Sequence, residues 1–135
     1  MKHLFLVAAL LLSLPSMAEI SVIVHPSNQA KIESTDIARM FLGKMKSFPN
    51  GGIVLPINLA EGTAPRKAFD KTVLKKSSSQ IKAYWSKLVF TGKGSPPREV
   101  SNDTEMLELI KANPSLIGYV SSGSITSDVK VIATF

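Results

Sequence analysis

From Ile20 onward, short β-branched apolar runs alternate with segments of helical period, and this alternation constrains the fold more than any other feature of the chain. Ile20-Ser21-Val22-Ile23-Val24 is nearly continuous in its apolar character, as a strand covered on both faces is. A helix follows, with Ser34 or Thr35 as its cap, Asp36 in its first turn, and Ile37, Met40 and Phe41 spaced to form one buried face. Gly43 ends it. Beyond the Pro49-Asn50-Gly51-Gly52 turn, Ile53 to Asn58 reads as a second strand, which Pro56 places at an edge or makes locally irregular. Phe69 and Val73 share a face of the next helix, where Arg66 and Asp70 form an i, i+4 surface pair worth about a few tenths of a kcal/mol. From Ser79 onward Ile81, Tyr84, Trp85 and Leu88 make the clearest apolar stripe, and its aromatic pair reads as core. Asn102 and Glu105 form a capping box for a helix that turns Met106, Leu109 and Ile110 inward. Ile117 to Val120 and Val129 to Ile132 are the last two strands. The order predicts an α/β layer structure, a mainly parallel sheet flanked by helices.

The first eighteen residues stand outside this alternation. Met1-Lys2-His3 and then Leu4 to Leu14 read as the charged and apolar regions of a signal peptide, and Ser16-Met17-Ala18 supplies small residues for cleavage after Ala18. The expected product is a periplasmic protein made of one domain, residues 19–135, too short for two ordinary domains. There is no cysteine, which excludes disulfides, thiol chemistry and cysteine-ligated metal. Cleavage removes Lys2 and lowers the formal charge from +6 to +5. Export makes nucleic acid an unsuitable partner for that charge and leaves small anions or anionic surfaces. His25 is then the sole histidine, and no carboxylates are paired at a spacing that suggests acid–base work. Neither an enzyme nor a metal or other cofactor is expected.

The stretch from Asn58 to Phe69 concentrates the chemistry: an apolar strand runs into a glycine turn and then a helix. The first N–H groups of a helix lack intrahelical partners and carry the positive end of its dipole, so Gly62-Thr63-Ala64 suits an oxyanion. The same residues also read as a plain helix start, with Thr63 as N-cap and Pro65 in the first turn. In α/β sheets ligands sit beyond the carboxyl ends of the strands, where this turn lies. Gly92-Lys93-Gly94 lacks the spacing of a phosphate loop.

Several segments, in order, resemble the periplasmic phosphate-binding proteins of phosphate ABC transporters. Val22 to Asn28 resembles the strand that ends in a Pro-containing turn, and Asp36 to Lys44 the short I-F-x-G-K helix. Glu61-Gly62-Thr63-Ala64-Pro65-Arg66-Lys67-Ala68-Phe69 resembles the phosphate turn, and Ile117-Gly118-Tyr119-Val120 the closing strand. The resemblance implies a type II periplasmic-binding-protein-like domain of one lobe, with Glu61, Gly62, Thr63, Ala64 and Arg66 as the ligand-binding set. It implies phosphate or a related oxyanion as ligand, a transporter or other periplasmic partner, and a second copy or second lobe to complete the site. The turn departs from the family at Ala64, Pro65 and Leu59, where the family has glycine, threonine and arginine. Each lost charge-assisted contact forfeits about 1.5–3 kcal/mol. A non-enzymatic interaction module that keeps the fold without tight phosphate binding is therefore the alternative.

Overall fold

The computed structural model describes residues 19–135; the expected signal peptide and its cleavage site after Ala18 lie outside the described residues. The strands are β1 (Ile20–Val24), β2 (Leu55–Leu59), β3 (Arg98–Val100), β4 (Leu116–Ser121) and β5 (Lys130–Thr134). The α-helices are α1 (Ser34–Phe41), α2 (Ala64–Phe69), α3 (Ser78–Phe90) and α4 (Asp103–Ala112), and α2 runs directly into a π-helical turn over Asp70–Leu74. All five residues of β1 are buried because the strand lies between β4 and β5 and both α2 and α4 pack against it, which explains its nearly continuous apolar character.

The sheet order is β3-β2-β4-β1-β5. β2 runs parallel to both of its neighbours, while β1 is antiparallel to β4 and to β5. The predicted α/β layering holds, with the parallel pairing concentrated around β2. Side chains of β4 alternate between two covered faces. On one, the Tyr119 ring stacks on Phe69 of α2 with centroids 3.9 Å apart, and Phe41 of α1 tilts against Phe69 at 4.6 Å. On the other, Gly118 lies under Met106 and Ile110 of α4. Aromatic contacts of this kind add about 0.5–1.5 kcal/mol each to the burial of their area. Among the described residues no helix is long and apolar enough to cross a membrane.

Four local expectations change. Asn102 caps α4 by accepting the Glu105 N–H at 2.9 Å, but the Glu105 carboxylate accepts from the Ser101 N–H and not from that of Asn102, so the capping box is not reciprocal. Glu33, not Ser34 or Thr35, holds the N-cap position of α1, its N–H donating to the Asp36 carboxylate at 3.0 Å. β2 is interior despite Pro56, because β3 pairs from Ile57 onward and leaves the side of β2 at Pro56 free of a partner strand. Arg66 and Asp70 are a buried pair, with side-chain exposures of 9% and 2%, not a surface pair. The i, i+4 spacing makes the two neighbours but says nothing of the face they occupy, and here that face packs on the sheet.

Candidate functional site

β2 ends at Leu59 beside the end of β3, and the chain then turns through Ala60 to Thr63 into α2. Gly62 takes φ +87°, a conformation that a side chain resists, and the space around it is open. Glu61, Gly62 and Ala64 are exposed, Thr63 is half-buried and Arg66 is buried, so the five predicted residues share one turn but not one orientation. The Thr63 hydroxyl accepts from the Arg66 N–H at 3.4 Å and donates to the Ala60 carbonyl at 2.8 Å, as an N-cap does. Pro65 sits in the first turn without an N–H to offer.

Arg66 is turned back into the protein. Its Nη1 donates to the Leu59 carbonyl at 2.8 Å and to Glu99 Oε1 at 3.1 Å, and its Nε meets both Asp70 oxygens at 3.3 and 3.4 Å. Burial works against the charged guanidinium, but Tyr119, Asp70 and Glu99 outweigh it and hold the Arg66 pKa above its ordinary value. Burial pushes the Asp70 carboxyl up, against the lowering effect of Arg66 and of the Ser78 hydroxyl, which donates to it at 3.4 Å. Beneath the turn, Tyr119 donates to Asn58 Oδ1 at 2.8 Å and accepts the Leu59 N–H at 3.3 Å, and burial raises the pKa of the phenol strongly. Leu59, the position that resembles a family arginine, is fully buried in the core and does not face the turn's surface.

Sequence reasoning missed Glu99 and the part that Asp70 plays. Glu99 lies 33 residues from Arg66 and on a strand of three residues, too short to leave a periodic signal. A cleft of about 500 Å³ opens beside the turn, between α3 and the segment leading into β3; Arg66 and Glu99 form its polar end and Trp85 part of its floor. Among the described residues no cluster of three or more His, Asp or Glu side chains is placed to hold a metal.

No family model matches the chain, and no curated protein matches it by sequence. Solved structures do match. An ABC-type phosphate transport receptor from Vibrio cholerae aligns with a TM-score of 0.65 at 15% identity over 86% of this chain and 46% of its own. A Clostridium perfringens protein solved with bound phosphate gives 0.66 and 16%, over 86% of this chain and 45% of its own. PstS from Borrelia burgdorferi gives 0.63 and 14%, over 86% and 47%. The chain spans about half the length of the solved proteins it matches. At these identities the likeness shows the fold: the chain has the periplasmic-binding-protein-like fold of phosphate ABC transporter substrate-binding proteins, over the length of a single lobe.

Proposed function

We propose that this chain is an exported, non-enzymatic module of binding-protein type that meets a periplasmic or membrane partner, and that its central turn holds phosphate only weakly. The observation that carries this reading is the internal pairing of Arg66. A guanidinium already engaged by Leu59, Asp70 and Glu99 leaves little charge for an anion at the turn, and Glu61 stands at its rim. The Thr63 hydroxyl is also committed within the turn.

Isothermal titration of residues 19–135 with phosphate in low salt tests it. The expected result is a dissociation constant of about 1 mM or weaker, equivalent to about −4 kcal/mol or less favourable. Micromolar binding overturns the reading and restores the turn as an oxyanion site.

A second reading has one observation in its favour. Among the described residues, no hydrogen-bond partner is found for the N–H groups of Gly62 and Ala64, and both residues are exposed. Two copies facing each other across these turns would close on a phosphate from both sides. That arrangement requires the mass of the particle to depend on phosphate.

A further inference from the structure

The cleft beside the turn has two unlike ends. At one, Phe90 is 92% exposed and Val89 54% exposed, with Pro96 across from them, an unusual outlay of apolar surface at the end of a helix. Ile81 and Trp85 floor the middle. At the other end Arg66 reaches the cleft, and its partners are not equally held. Asp70 is buried, with 2% of its side chain exposed, and the Leu59 carbonyl is fixed in β2; Glu99, with 51% of its side chain exposed, makes its one side-chain hydrogen bond to Arg66 Nη1. Nη2 has no partner among the described residues, and none of their buried side-chain nitrogen or oxygen atoms lacks one, so Nη2 reaches solvent at the cleft.

We propose that this cleft is a binding site for a small monocarboxylate with an apolar body, whose carboxylate displaces Glu99 and takes Nη1 and Nη2 of Arg66 together. Glu99 shows that a carboxylate fits against Nη1, and its exposure lets it swing into water when displaced. The exchange is one negative charge for another, so the balance around Arg66 is unchanged. A phosphate dianion brings a second charge towards Glu61 and Asp70 and fits worse. A planar guanidinium matches a carboxylate bidentately, while Val89, Phe90 and Pro96 give the chain of the ligand an apolar wall. Lys82 on the rim adds attraction for an anion. The volume falls within the roughly 300–1,000 Å³ usual for small-molecule sites.

Trp85 is the one tryptophan of the chain and lines both this cleft and a neighbouring cavity, so its fluorescence reports binding, and substitutions at Glu99 and Phe90, which line this cleft and not the other, assign that binding to it. The probes are octanoate, n-octanol as the same chain without charge, and inorganic phosphate, titrated into residues 19–135 and into Glu99→Gln and Phe90→Ser. Both substituted side chains are at least half exposed, which leaves the core intact. The expected result is saturable binding of octanoate, about tenfold tighter in Glu99→Gln because one charge-assisted competitor is gone, and several-fold weaker in Phe90→Ser. Octanol binds at least several-fold more weakly than octanoate. The proposal is overturned if Glu99→Gln binds octanoate no more tightly than the parent, if octanol equals octanoate, or if phosphate competes at lower concentration than octanoate. Phosphate titration of the parent decides the function proposed above and octanoate titration decides this one, so either can fail alone.

Discussion

Arg66 is the residue on which the turn is anchored. In this chain it ties the end of β2 to α2 and β3 through Leu59, Asp70 and Glu99. Asp70 is the buried carboxylate of that knot. Burial raises its folded-state pKa, so the fold favours its protonated form. The contribution of Asp70 to stability is then complete below its unfolded-state pKa and is lost as pH rises through the higher folded-state value. Urea midpoints taken across the carboxylate range should show the parent losing stability relative to Asp70→Asn as pH increases through that window. A difference that is flat with pH, or of opposite slope, refutes the assignment. Thr63 makes a separate prediction. As a cap, its replacement by alanine costs about 0.5–2 kcal/mol in a urea melt and leaves any phosphate affinity unchanged. Loss of affinity at constant stability makes the hydroxyl a ligand contact instead.

At the level of elements, α4 lies directly over β4 at Gly118. A Cβ placed on Gly118 collides with Met106 Sδ and meets Ile110 Cδ1 at 3.2 Å. The φ of Gly118 is not positive, so the glycine is required by the neighbour and not by its own backbone. Gly118→Ala should cost about 1–3 kcal/mol by overpacking, measured as a shift of the urea midpoint, and Met106→Ala should be less harmful in that background than in the parent. Additive losses refute the contact. Much of this layer was legible in the sequence: β1, β4 and β5, the faces of α1 and α4, and the strand, turn and helix around Gly62 all follow from spacing and punctuation. What was hidden is long-range. Nothing local in Arg98-Glu99-Val100 marks β3, because a three-residue strand is defined by β2 alongside it. The π-helical turn after Phe69 is likewise unmarked; Thr72, which donates to the Ala68 carbonyl at 2.7 Å, is a weak signal at best. Glu99 could be joined to Arg66 only once β3 was placed.

At the scale of the whole molecule, the question is whether this fold, which spans about half the length of the solved proteins it matches, can hold an anion at a turn with no opposite wall among the described residues. The turn at Gly62 is open to solvent, where water competes for each N–H and salt screens the field within about 8–10 Å. Two copies can remedy that only if an anion gains enough from both turns to offset the cost of association, estimated at about 4–15 kcal/mol. Arg66 adds little to that gain while Asp70 and Glu99 hold it. The sheet edges do not supply the remainder: β3 is three residues long, and β5 carries Lys130 on its exposed surface, a charge that discourages pairing. The expected mass by light scattering is that of one chain, in low salt, with and without saturating phosphate. A mass that doubles when phosphate is added supports the closed pair and overturns the reading of the turn as internally satisfied. In that event Glu99→Gln should strengthen the pair, because it frees the guanidinium, and Gly62→Val should abolish it, because it blocks the approach of the backbone to the anion.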